Sequence, residues 1–224
     1  MHPRLPTRAA ALALWALLLA LAWQPGRADA QPALTRAQAL AALEQAEPTR
    51  RAAAVARLAD IGTMPDTERV ARRLTDDVDE IRDLANLALW QIWGRSGDRA
   101  IDALFQRGVE QMEASALDEA VVTFSEIIRR KPAFAEGWNK RATIHFLMGE
   151  LDASLKDCHQ VLKRNRLHYG ALSGMGQIYL QQGDLEQALS HFQRALKINP
   201  NLPGVIDAVR LLEQHRGTAP RLTT

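Results

Sequence analysis

Cysteine is almost absent from this sequence. Cys158 is the single one among 224 residues. That excludes an intramolecular disulfide, a C-x-x-C redox pair and a C-x-x-C-H haem attachment site. Metal-binding spacings are missing as well. His145, His159, His168, His191 and His215 form no H-x3-H pair and no H-E-x-x-H motif. Gly170–Tyr179 holds three glycines but no G-x-G-x-x-G, no preceding strand and no Lys-Ser/Thr, so it is no phosphate loop. No Ser-His-Asp arrangement can be defended from spacing. Neither a cofactor nor a metal is expected, nor is catalysis. Aromatic residues amount to only 5%, and β-branched runs are scarce where Ala and Leu abound, a balance that favours helices.

A surplus of one charge is missing too. The net charge is +2. Residues 1–30 hold Arg4, Arg8 and Arg27 against Asp29, so the rest of the chain is close to neutral. A nucleic-acid binder needs Lys and Arg concentrated on one face, and none is expected here. The first 30 residues read instead as a secretory signal peptide. A basic stretch, MHPRLPTR, precedes the uncharged apolar core Ala9–Trp23, and Ala28-Asp29-Ala30 is a small-x-small cleavage site. The core is shorter than the roughly 20 residues that span a bilayer. Cleavage after Ala30, export by the general secretory route and residence in the bacterial periplasm are therefore expected. Retention as an anchor is the alternative. No membrane span is expected after cleavage.

What is present is a repeat with a period of 34 residues. Gly176 falls on Ala142 and Gly108, Ala188 on Ser154 and Ala120, and Phe192 on Cys158 and Phe124. The copy 169–202 carries Leu172, Met175, Gly176, Tyr179, Ala188, Phe192, Ala195 and Pro200. The copy 101–134 keeps Leu104, Gly108, Ala120, Phe124 and Pro132. The copy 135–168 keeps Trp138, Ala142 and Ser154, but has His145, Cys158 and Arg166 where the pattern has Tyr, Phe and Pro. Residues 101–202 thereby resemble the tetratricopeptide repeat family, whose pattern is W-x2-L-G-x2-Y, A-x3-F-x2-A and P. The resemblance implies an all-α, right-handed α-solenoid of antiparallel helix pairs. Gly108, Ala142 and Gly176 would face the small residues Ala120, Ser154 and Ala188 so that paired axes approach closely. Cys158 would be a buried, inert thiol.

The remaining segments fit around these units. Residues 31–98 read as helices, beginning with Thr35 as an N-cap. About residues 49–97, with DDVDEIRDLANLAL and the pair Ile81-Arg82, resemble HEAT-like repeats; a generic helical hairpin capping the stack is an equal reading. Trp90 and Trp93 are expected to pack against the first repeat helix. Gly94–Ala100 is the expected joint. Residues 203–224 read as a capping helix, Pro203–His215, with an apolar face of Val205, Ile206, Val209 and Leu212, followed by a frayed tail. Basic residues end the second helices, namely Arg129, Arg130 and Lys131, then Lys163 and Arg164. A solvated face suited to the helix dipole is expected there.

The family binds its partners in a concave groove lined by the first helix of each pair. On this sequence the resemblance points to Phe105, Val109 and Met112, then Asn139, Thr143 and Phe146, then Gln177, Leu180 and Gln181. Apolar floor and amide-bearing side chains together suit a peptide or a docked helix. The Lys/Asn/Arg set with which some members clamp a C-terminal carboxylate is missing, with Phe105, Val109, Gly170 and Gly174 near its place. A non-enzymatic periplasmic adaptor or scaffold is thus expected. A self-associating structural module and an accessory subunit of an envelope enzyme stay open beside it.

Overall fold

The computed structural model describes residues 33–218. The expected export signal, residues 1–30, and most of the expected tail lie outside the described residues. Eleven α-helices are found among the described residues. They are α1 (Arg36–Ala42), α2 (Pro48–Ile61), α3 (Thr67–Ala71), α4 (Asp79–Trp93), α5 (Arg99–Glu113), α6 (Leu117–Arg130), α7 (Ala135–Leu147), α8 (Leu151–Arg164), α9 (Tyr169–Gln181), α10 (Leu185–Ile198) and α11 (Pro203–Thr218). There is no strand among those residues, and no helix there is long and apolar enough to cross a membrane.

Helices α5 to α11 pack each on the next in sequence, the arrangement of an α-solenoid built from helix pairs. The pairs owe their closeness to glycine, though by a different contact from the expected one. A Cβ on Gly108 would lie 2.6 Å from the Phe124 ring, and one on Gly176 would lie 2.5 Å from the Phe192 ring. Each glycine thus makes room first of all for the buried phenylalanine of the second helix. The middle pair reaches the same fit with different volumes. Ala142 takes the glycine's place, Cys158 takes the ring's place, and Ser154 Oγ donates to Ala142 O at 2.7 Å. Burial pushes the Cys158 thiol up to about 12, with Asp157 adding to the effect, so it carries no thiolate at neutral pH.

Two departures from the repeat pattern acquire partners. His145, at a tyrosine position, is not simply packed: its Nδ1 lies 2.5 Å from Glu150 Oε2 and its Nε2 lies 3.9 Å from Asp157 Oδ2. Arg166, at a proline position, pairs with Glu68 of the N-terminal segment.

In the third pair Tyr179 stacks on His191 at 5.2 Å between centroids. Burial holds His191 down to about 4, helped by Arg194 and then His159. A lowered histidine pKa means that the unfolded chain takes up a proton that the fold refuses. Stability should therefore fall as pH drops from about 6.5 to about 4. The expected result is that His191→Gln flattens the pH dependence of the melting temperature in that window; an unchanged slope would rule the imidazole out as its source.

The N-terminal helices share one core with the third pair, which contributes Tyr169, Leu172 and Ala195 to it. Thr35 and Gln38 make a capping box at α1, with Gln38 Oε1 accepting from Thr35 N at 2.9 Å. Pro48 starts α2 at its first turn. Buried Arg51 joins α2 to the turn before α4 through Asp76 at 2.8–2.9 Å. The tryptophans of α4 do not pack as expected. Trp93 stacks on His168 at 4.8 Å, and Trp90 meets Tyr169 edge-on at 5.8 Å. A Cβ on Gly170 would lie 2.7 Å from Trp90. The segment therefore rests on the start of the third pair. Polar contacts hold it there: Tyr169 Oη donates to Asn86 Oδ1 at 2.5 Å, and Asn201 Nδ2 donates to Leu74 O at 2.6 Å. Gly97, at φ 74°, turns the chain between α4 and α5, and Arg95 fixes that turn by donating to the carbonyls of Ala59 and Gly62. The stretch between α4 and α5 is a fastened corner.

At the other end, Pro203 opens α11. Val205, Ala208, Val209 and Leu212 cover Leu189 and Phe192. Ile206 is not among them. It lines a separate cleft with Asp79 and Arg82, because helical rotation carries it off the covered face.

Candidate protein-binding groove

The first helices α5, α7 and α9 carry the nine residues singled out from the sequence. The structure divides them into two groups. Phe105, Val109 and Met112 on α5 are half-buried and pack into the cluster around Ile101, Phe124 and Ile127. The Phe105 ring meets Phe124 and Phe134 edge-on at 5.7 and 5.6 Å. These side chains spend much of their surface on the first pair's own core.

The second group comes together. Asn139, Thr143 and Phe146 on α7 and Gln177 on α9 line one cavity of about 150 Å³. It stays open because α9 has no side chain at Gly174. A Cβ at Gly174 would come no nearer than 3.9 Å, to Cys158 Sγ. Thr143 and Gln177 are exposed at its mouth, while Phe146 packs on Ala142, Met175 and Ile178 at its wall. Leu180 and Gln181 lie outside that cavity, further along α9, and both are exposed. Leu147 and Met148 add exposed apolar surface at the end of α7. Two of the expected hydrogen-bonding groups already have local work. Asn139 Nδ2 donates to Glu136 Oε2 at 3.0 Å, and Thr143 Oγ1 donates to Asn139 O at 3.1 Å.

Asn139 leads to a buried pair that sequence inspection missed. Glu136 Oε1 lies 2.5 Å from His168 Nε2, and both residues are essentially sealed from solvent. His168 Nδ1 accepts the Ala171 N–H at 2.9 Å and so caps α9. That bond leaves Nε2 as the N–H that donates to Glu136. Burial alone would push the Glu136 carboxyl up. The attraction and hydrogen bond of His168, the bond from Asn139 and the charge of Lys140 outweigh it and hold the group below its ordinary value. Because His168 also stacks on Trp93, one imidazole ties α7, α9 and the N-terminal helices together. The two residues stand 32 apart in sequence, at opposite ends of the copy 135–168, and no local pattern links them. Among the described residues, no group of three or more His, Cys, Asp or Glu side chains is placed to hold a metal.

Comparison with known proteins identifies the repeat segment. Residues 169–202 match the tetratricopeptide repeat family. A TPR repeat-containing protein of Rhizobium etli is 36% identical over 124 residues, which is 55% of this chain and 60% of that protein. Subunit 3 of the anaphase-promoting complex of Schizosaccharomyces pombe is 30% identical over 94 residues, 42% of this chain and 14% of that one. The chain thus spans less than two thirds of the length of these relatives. Among solved structures, the first TPR domain of Spaghetti (RPAP3) bound to an HSP90 peptide superposes with a TM-score of 0.50 at 21% identity, over 53% of this chain and 94% of that one. The type III secretion chaperone SycD of Yersinia enterocolitica, in complex with a peptide of the translocator YopD, does so with a TM-score of 0.51 at 13% identity, over 53% and 96%. The chain carries a tetratricopeptide repeat segment, and these structures share its fold.

Proposed function

We propose that this tetratricopeptide repeat chain is a non-enzymatic adaptor, exported to the periplasm, that holds a protein partner in the groove between α7 and α9. The observation that carries the reading is the glycine-walled cavity flanked by Phe146, Thr143 and Gln177. A volume of about 150 Å³ suits one apolar side chain of a partner segment. Exposed Thr143, Gln177 and Gln181 around it can hydrogen-bond a peptide backbone or the polar flank of a docked helix. Similarity to proteins whose solved forms hold peptides supports the same reading. The export assignment rests on residues 1–30, and amino-terminal sequencing of the protein recovered from the periplasm tests it. A start at Gln31 is expected.

Gly174→Leu tests the groove. The open space at Gly174 lets the new side chain fill the cavity without a clash, so folding should persist. Partner recovered by photo-crosslinking at Thr143 should fall about tenfold or more, as for loss of a central anchor pocket. Gly174→Ala, which leaves most of the cavity open, should retain capture. Equal capture by the Gly174→Leu protein would sink the groove assignment.

A further inference from the structure

A second cavity lies where the N-terminal segment meets the ends of the first two repeats, away from the groove. Its volume is about 340 Å³, within the lower range of small-molecule pockets. Met64, Trp93 and Phe134 give it an apolar wall, and Arg95, Lys131 and Arg164 bring three cations to it; no acidic residue lines it. None of the three has a carboxylate within ion-pair distance among the described residues.

The two guanidinium groups are fixed in place by neutral acceptors. Arg95 donates to the carbonyls of Ala59 and Gly62, and Arg164 to those of Pro132 and Gln160. Arg164 also stacks on Trp138 at 4.5 Å. Burial holds both below their ordinary value, with Asp60 and Asp102 partly offsetting this at Arg95. Lys131 acts at longer range on Asp98. The nearby carboxylates are turned to the backbone: Asp98 Oδ1 accepts from Ala100 and Ile101, and Asp102 Oδ1 accepts from Ser96.

The second observation is independent of charge. Trp93 Nε1 and Asn165 Nδ2 are buried and have no hydrogen-bond partner, and both residues line this cavity. Trp93 is 2% exposed and Asn165 3%. Asn165 Oδ1 is already taken by the Leu167 N–H at 3.1 Å, and Ser96 Oγ both donates to and accepts from the backbone of Asp98. The side-chain groups left for a ligand are therefore N–H donors and cations. A buried unsatisfied donor is costly, so the wall gains if an oxyanion drawn in by the three cations comes within reach of either one. The apolar wall calls for a carbon body behind that oxyanion.

We infer that this cavity binds a small apolar carboxylate, of the size of a phenylacetate ion or of one C-terminal amino-acid residue with its free carboxylate. Arg95, Lys131 and Arg164 set the charge requirement. Trp93 and Asn165 carry the unpaired donors in the wall, and Met64 and Phe134 hold the carbon body. The cluster is built from Trp93–Ser96, Lys131–Ala135 and Arg164–Asn165, so the ligand would also strengthen the contact between the N-terminal helices and the repeats.

The test is an ¹⁵N NMR titration of the folded protein, following the Trp93 indole N–H identified by its loss in Trp93→Phe. Phenylacetate and N-acetylphenylalanine are added as a free acid and as a chain-end mimic, with phenylacetamide, N-acetylphenylalanine amide and inorganic phosphate for comparison. A saturable shift with either acid, and none with its amide, is the expected result. Which acid binds more tightly tells the free metabolite from the chain end. Lys131→Gln and Arg164→Gln should each weaken binding about tenfold or more, with the amide-proton spectrum showing that the fold is kept. Equal shifts by acid and amide would overturn the inference. So would phosphate binding as tightly as the acids, no saturable shift at all, or affinity unchanged in both variants.

Discussion

His168→Leu is expected to lower the free energy of unfolding by about 3–5 kcal/mol, the range for leaving a buried charge without its partner. The imidazole's Nε2–H is the donor that Glu136 Oε1 meets at 2.5 Å, and its Nδ1 caps α9. Leucine replaces neither group, and the Glu136 carboxylate remains sealed inside. Denaturant unfolding measures the loss. Glu136→Leu with His168→Leu should recover much of it, since replacing both partners by apolar groups removes the charge along with its need. A cost below about 1 kcal/mol for His168→Leu would show that the pair is not a structural tie. The pH dependence has the opposite cause from that at His191. The Glu136 carboxyl is held below its ordinary value of 4.5, so the unfolded chain binds the proton more readily. The stabilisation is fully present above about pH 4.5 and is lost as the pH falls below it. Both Trp90 and Trp93 pack on His168, so near-ultraviolet circular dichroism should report the loss at the same denaturant concentrations.

Gly176→Ala should destabilise the chain by about 1–3 kcal/mol, the cost of overpacking a filled core. The new Cβ would stand 2.5 Å from two atoms of the Phe192 ring. That ring is fully buried and has nowhere to go. Helix propensity works the other way, favouring alanine by about 1 kcal/mol, but it is the weaker effect. Two residues earlier the sign reverses. Gly174→Ala meets ordinary contact only and should stabilise by about 0.5–1 kcal/mol. Thermal unfolding of the two variants side by side decides the matter, and a Gly176→Ala protein as stable as the parent would refute the ring-clearance account. Phe192→Leu in the Gly176→Ala background should restore part of the loss, because the middle repeat already combines Ala142 with the small Cys158.

This contrast also measures how much could be read from sequence. Period and residue size placed Gly108, Ala142 and Gly176 at the tight crossings, because repeated volumes leave a repeated trace. The partner of each glycine could not be read, since Ala188 and Phe192 lie on successive turns of one helix and both approach the neighbouring helix. Thr35 was legible as a cap because its partner is three residues away. Trp90 and Trp93 were legible as packing residues, but not their target, which lies some 75 residues ahead at His168 and Tyr169. Of the groove residues, Asn139, Thr143, Phe146 and Gln177 surround one cavity, whereas Phe105 on the same nominal face turns into its own repeat's core. A repeat register gives the face of the helix; the sizes of the neighbours decide how far each side chain is buried.

The sequence by itself determined the helical solenoid, because its small, large and capping residues recur at a spacing that only stacked helix pairs satisfy. The tertiary structure alone decided where the N-terminal helices dock, which groove residues share a cavity, and that Glu136 meets His168 and Trp93 shares a wall with Asn165. Those outcomes depend on side chains that are far apart along the chain and have no periodic relation. The contacts of Trp90 and Trp93 with the start of the third repeat form across the corner that Arg95 holds.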